Sequence, residues 1–111
     1  YAKRGEAVLK DTKTIVLVNN TTASASEIVA GALKDYKKAT IVGTKTYGKG
    51  VVQTILELSG GSLLKVTTAH WYTPENQTIN KTGIAPDIEV ERTYNDINSG
   101  KDPQLDKAKS L

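Results

Sequence analysis

Thr14-Ile15-Val16-Leu17-Val18 runs, after a short polar step, into Thr22-Ala23-Ser24-Ala25-Ser26-Glu27-Ile28. The first five residues have the pattern of a strand buried on both faces. From Ala25 the apolar positions fall at Ala25, Ile28, Val29, Ala32, Leu33 and Tyr36, which predicts one helical stripe. Lys34, Lys37 and Lys38 crowd the end of that stretch, where the helix dipole favours cations, so the helix is expected to end near Lys38. Ala39-Thr40-Ile41-Val42 then reads as a second buried strand. Strand, helix and strand within about thirty residues have the length of a βαβ crossover, and the first half is α/β. Ser24 therefore stands where a strand hands over to a helix. A hydroxyl there lies beside unpaired backbone N–H groups and the positive end of the dipole, which favours an anion developing on a substrate. The same residues also fit a second account: Ser24 and Glu27 have the spacing of a capping box, and Ser26 is a competing cap.

Working outward, Val51 to Leu58 alternates, with Val52, Thr54, Leu56 and Leu58 on one face, and Leu63 to Tyr72 is again strand-like. Ser59-Gly60-Gly61-Ser62 supplies a turn between them, so an antiparallel β-hairpin is expected. Thr73-Pro74-Glu75-Asn76 breaks it, Ile84 to Val90 offers one short strand around Pro86, and the chain turns polar beyond Arg92. Asp102-Pro103 reads as an N-cap followed by proline in the first helical turn. The expected division is residues 1–92 as one partial domain and 93–111 as a polar linker with a truncated C-terminal helix.

Composition narrows the classes. The 111 residues have 38% hydrophobic content, enough for a modest core, and no apolar run long enough to cross a membrane. The chain opens on Tyr1-Ala2-Lys3-Arg4 without a leader and holds no Met, so it is expected to be a piece of a longer protein. With no Cys, disulfide and thiolate chemistry are excluded. The net charge of +3 comes from scattered lysines with few aromatics between them, which argues against nucleic-acid binding. No His, Cys or carboxylate cluster has metal-ligand spacing, so neither metal nor other cofactor is expected.

Gly43-Thr44-Lys45-Thr46-Tyr47-Gly48-Lys49-Gly50 nearly spells a phosphate-binding loop. Gly50 replaces the magnesium-binding hydroxyl, and strand-like alternation follows where a helix is needed, so nucleotide binding is not expected. Taken alone, Gly48-Lys49-Gly50 reads as a flexible, solvated turn. The sole histidine, His70, lies in an alternating run beside Trp71 and reads as a packed or surface strand residue. The remaining candidate base for Ser24 is a lysine, which must be neutral and therefore needs a dry pocket without a nearby carboxylate. Lys49, flanked by glycines and followed by Val51 and Ile55, is the best placed; Lys3, Lys10, Lys13, Lys34, Lys37 and Lys38 sit in polar surroundings.

Three stretches, in this order, resemble the carboxy-terminal processing peptidases, the tail-specific serine proteases of bacterial envelopes and chloroplast lumens. They are Val16-Leu17-Val18-Asn19 leading to Ala23-Ser24-Ala25-Ser26-Glu27-Ile28, Val42-Gly43 through Thr46-Tyr47-Gly48-Lys49-Gly50 to Val52-Gln53, and Gly83-Ile84-Ala85-Pro86-Asp87-Ile88. Asp102-Pro103-Gln104-Leu105 resembles the helix that closes the family's protease domain. Thr21 and Thr22 stand where the family often has glycine and serine. The resemblance implies a crotonase-like or ClpP-like layered α/β core, containing the βαβ unit and then the hairpin. It implies Ser24 as nucleophile, Lys49 as base, Gln53 as the amide that orients Lys49, and the Ala25 N–H as an oxyanion donor. Four strand residues span about 13 Å, so Gln53 reaches Lys49 only if the Gly48-Lys49-Gly50 segment bends. Asp35, eleven helical residues or about 16 Å from Ser24, is left out of the site, and Glu27 is read as a cap or local support. The resemblance further implies polypeptide substrates with apolar C-termini and a location outside the cytoplasm. The PDZ domain and the upstream strands that supply a second oxyanion donor are absent from this sequence, so the expected activity belongs to a larger protein. A non-catalytic peptide-binding or oligomerisation module, joining copies through unpaired strand edges, is the other reading.

Overall fold

The computed structural model of the chain describes Gly5, Ala7 and residues 10–111; the expectations placed on Tyr1 to Arg4, Lys3 among them, lie outside the described residues. Strands and helices are mixed. β1 (Ile15–Val18), α1 (Ala25–Asp35) and β2 (Thr40–Gly43) form the βαβ unit. β1 and β2 pair in parallel with Ile15 opposite Thr40 and Val18 opposite Gly43, a pairing that requires the crossover α1 provides. β3 (Val51–Glu57) and β4 (Leu63–His70) make a separate antiparallel hairpin, and β5 (Ile88–Glu89) adds in parallel to β2, giving the order β1-β2-β5. Of the strand expected between Ile84 and Val90 only two residues pair. Pro86 has no N–H to give a ladder, and Asp87 crosses over with its own groups: its N–H donates to the Ile41 carbonyl at 2.8 Å and its carboxylate accepts from Ile41 N at 2.9 Å.

Val18, Ala30 and Ile41 form the core, with Val16 and Ala39 packed against it. The helix ends at Asp35, short of the Lys38 expected for it. Lys37 turns to φ 52, its N–H donates to Lys34 O and that of Lys38 to Leu33 O, both at 2.8 Å, which is the left-handed stop of a Schellman motif. The expected apolar stripe is only partly inward. Val29 and Tyr36 are 57% and 65% exposed, while the buried residues of α1 are Glu27, Ala30 and Gly31. The reason is the segment from Thr73 to Ile84, which crosses the helix at Gly31. A Cβ added there would lie 3.0 Å from Thr73 Cγ2 and 3.1 Å from Ile84 Cδ1, so this contact selects small residues over large apolar ones.

The hairpin differs from its expectation in one respect: alternation predicts one covered face, whereas Leu56, Leu64 and Val66 on one face and Ile55 and Leu63 on the other are all exposed. Residues 93–111, read as a linker and helix, hold α2 (Tyr94–Asn98) and α3 (Pro103–Lys109). Asp102 caps α3 through Leu105 N at 3.0 Å, with Pro103 in the first turn, and α3 packs against β1 and β2. Among the described residues no helix is long and apolar enough to cross a membrane.

Candidate active site

Ser24 occupies the strand-to-helix junction with φ 58 and ψ −121, a conformation that L side chains rarely adopt. Such strain costs of order 1–3 kcal/mol and persists only where the surroundings over-determine it. A sharp strand–turn–helix corner of this kind is the device by which a nucleophilic serine is pushed out of the backbone. The surroundings are specific. Asn19 Oδ1 accepts from Thr21 N at 3.0 Å and Thr21 Oγ1 at 2.7 Å, Thr22 N donates to Asn19 O at 3.0 Å, and Tyr47 N donates to Thr22 O at 3.0 Å.

Both arms of the capping box are in place: the Glu27 carboxylate accepts from Ser24 N at 2.9 Å, and the Ser24 side chain stands at Glu27 N. Glu27 N gives its well-aligned hydrogen bond to the Ser24 carbonyl at 2.9 Å, so the hydroxyl sits in the capping position without a strong bond of its own there.

Glu27 does far more than local support. It is fully buried and its two oxygens accept four hydrogen bonds: from Thr46 Oγ1 at 2.5 Å, Gly48 N at 2.6 Å, Lys49 N at 2.8 Å and Ser24 N. Thr46 Oγ1 in turn accepts from Ile84 N at 2.7 Å. Burial pushes the Glu27 carboxyl up, and is the largest single influence, but the bonds from Thr46, Gly48, Lys49 and Ser24 together outweigh it and hold the group below the ordinary carboxylate range. One ionised side chain thus fastens the nucleophile turn to the loop that carries Lys49.

That loop is neither flexible nor merely solvated, contrary to the reading of Gly48-Lys49-Gly50 alone. Lys81 N donates to Gly48 O and Trp71 N to Gly50 O, both at 2.8 Å. Gly48 sits at φ +91, and a Cβ on Gly50 would collide with the backbone of Asn80. The same loop leads into β3 and not into a helix, so it presents no helix N-terminus to a phosphate.

Ser24, Lys49 and Gln53 line one cleft of about 320 Å³, with Val51, Val52, Lys65 and Trp71. The segment turns at Gly48, φ 91, and the β3–β4 register shifts between Val52 and Gln53, but no hydrogen bond joins Gln53 to Lys49 among the described residues. Lys49 is exposed, so the dry pocket expected for a neutral lysine is not made by the described residues. The Ala25 N–H opens α1 beside Ser24 and has no acceptor among the described residues. His70 is an exposed strand residue paired with Val51 and is not part of the cleft lining. Asp35 stands at the far end of α1, where it accepts from Glu75 N at 2.8 Å and ties down the turn after β4. Lys65 and Trp71 were not singled out from sequence. A turn centred on Gly60 would have signalled Lys65, because it sets Ile55 opposite Lys65 and so puts Lys65 on the face of Gln53.

A serine on a strained corner thus shares one cleft with a lysine and an amide. The sequence profile of peptidase family S41 matches residues 1–90, and the chain belongs to that family. It is 46% identical over 114 residues to the carboxyl-terminal-processing protease of Synechocystis sp., an alignment covering 100% of this chain and 26% of the relative. It is 47% identical over 91 residues to the chloroplastic C-terminal processing peptidase of Tetradesmus obliquus, covering 82% of this chain and 20% of the relative. The solved photosystem II D1 C-terminal processing protease superposes with a TM-score of 0.69 at 51% identity, over 73% of this chain and 21% of that one. The chain therefore spans about a quarter or less of the length of these relatives.

Proposed function

We propose that this chain is the catalytic core of a serine endopeptidase that cleaves polypeptides near apolar C-terminal tails, built on a crotonase-like or ClpP-like layered fold. In this reading Ser24 Oγ attacks the scissile carbonyl while the neutral Lys49 amine takes its proton. The oxyanion is stabilised by the Ala25 N–H together with a donor from the rest of the protease. Lys49 then gives the proton to the leaving amine, and the acyl-enzyme on Ser24 is hydrolysed by a water that Lys49 deprotonates in turn. Gln53 orients the lysine without adding a negative charge that would favour its protonated form. The observation that supports this reading is the place of Ser24, on a strained corner in the same cleft as Lys49 and Gln53.

The test uses the whole protease and intact mass after incubation with a serine-reactive phosphonate. Labelling should depend on Ser24, and Ser24→Ala or Lys49→Ala should abolish peptide turnover with the fold retained. An active Lys49→Ala enzyme overturns the mechanism. The name of the Tetradesmus relative, chloroplastic, supports a location outside the cytoplasm for the protein. A second reading, an oligomerisation module, is favoured by the exposed apolar faces and open edges of the β3–β4 hairpin. Size measured on dilution distinguishes it.

A further inference from the structure

Lys65 is the charged residue of the cleft lining that the proposed chemistry does not use. In the hairpin Gln53 faces Thr67 and Ile55 faces Lys65, so alternation sets Gln53, Ile55, Thr67 and Lys65 on one face, and Lys65 lines the cleft with Ser24, Lys49 and Gln53. No carboxylate lines that cleft. The oxygens of Glu27 beneath it are occupied by four donors. Glu57, diagonal to Lys65 on the hairpin, is beyond ion-pair distance, for the ion pairs among the described residues are Lys34–Asp87 and Arg92–Asp102. Lys65 therefore has no ionic partner among the described residues. A lysine serving as general base must be neutral, which leaves Lys65 as the one charge the cleft offers to a bound peptide. Trp71 walls the same cleft.

We propose that Lys65 is a carboxylate-binding subsite that selects substrates carrying an anionic group a few residues from the bond opposite Ser24; this rests on the Ser24–Lys49 reading of the cleft. The distance follows from the strand. Ile55, opposite Lys65, lies two residues or about 7 Å beyond Gln53, and an extended peptide rises about 3.3 Å per residue, so the carboxylate falls roughly two to four residues from the cleaved bond. The carboxylate is either the terminus of a short tail or an Asp or Glu side chain.

The experiment uses the whole protease and matched quenched peptides with the same apolar residues at the cleavage point. One pair differs by a free or amidated C-terminus, and a second pair, both amidated, differs by Asp or Asn placed two to four residues from the cleaved bond. The carboxylate-bearing member of at least one pair should be cleaved with about three- to fivefold higher kcat/KM, mainly through KM, the upper part of the range for an exposed charge pair. Which pair shows the preference identifies the source of the carboxylate. Lys65→Gln should bring the ratio within twofold of one, Lys65→Glu should reverse it in favour of a Lys-bearing peptide, and Lys101→Gln, outside the cleft, should leave it unchanged. A ratio near one in the native enzyme, or a native ratio retained in Lys65→Glu, overturns the proposal. Peptide affinities measured on Ser24→Ala protein give the same ratio without turnover. A failure of the Ser24–Lys49 mechanism is thereby told apart from a failure of this subsite.

Discussion

Replacing Glu27 by Gln changes one oxygen to an amide nitrogen and removes the charge, with no change in shape. In the native chain the four donors aimed at the carboxylate are Thr46 Oγ1 at 2.5 Å, Gly48 N at 2.6 Å, Lys49 N at 2.8 Å and Ser24 N at 2.9 Å. Whichever way the amide turns, two of them meet an NH2 group in a fully buried site. Hydrogen bonds to a charged acceptor are worth about 1.5–3 kcal/mol each, so losing two costs about 3–6 kcal/mol before any relief. Burying an amide in place of a carboxylate returns part of that, because the desolvation of the charge disappears. A net loss of about 3 kcal/mol is expected, concentrated where the nucleophile turn meets the Lys49 loop. By the relation of 1.4 kcal/mol per tenfold, amide hydrogen exchange at Ser24, Gly48 and Lys49 should speed up by roughly a hundredfold. Exchange at Ile41 and Val42 in β2 should change less. Protection at Gly48 and Lys49 that falls by less than threefold refutes the view that Glu27 holds the two halves of the site together.

Other outcomes follow from the same contacts. The Glu27 carboxyl titrates below its ordinary value of 4.5 in the folded chain, so its stabilisation is complete above that value and is lost as pH falls through the lower folded one. The stability gap between the native chain and Glu27→Gln should therefore narrow as pH falls below about 4.5, as measured by urea unfolding at stepped pH; a gap independent of pH would contradict the assignment. Thr46→Ser keeps the hydroxyl that joins Glu27 to Ile84 N and should be near neutral, whereas Thr46→Val should cost about 1–3 kcal/mol, read from the same unfolding curves. Gly50→Ala drives a Cβ into the Asn80 backbone and should lower stability by about 1–3 kcal/mol while displacing Lys49, seen as a fall in both melting temperature and kcat.

Local sequence determined much of this protein. The β-branched run before Ser24 and the spacing after it are enough to specify β1, α1 and β2, because strand burial and helical periodicity are properties of neighbouring residues. The same holds for the hairpin, set by the Ser59–Ser62 turn, and for the Asp102 cap of α3. The roles proposed for Ser24, Lys49 and Gln53 rest on their resemblance to the carboxy-terminal processing peptidases, and the sequence by itself does not choose between a capping Ser24 and a reacting one. What tertiary structure adds is the cleft that Ser24 shares with Lys49 and Gln53. It also set the role of Glu27, whose partners Thr46, Gly48 and Lys49 lie 19 to 22 residues away and carry no periodic signal linking them to it. The buried face of α1 went to Ala30 and Gly31 because a distant segment crosses there, and Lys65 joined the cleft only through the register of β4 against β3. Propensity and periodicity act between near neighbours, whereas a site is closed by groups that only the folded chain brings within hydrogen-bonding distance.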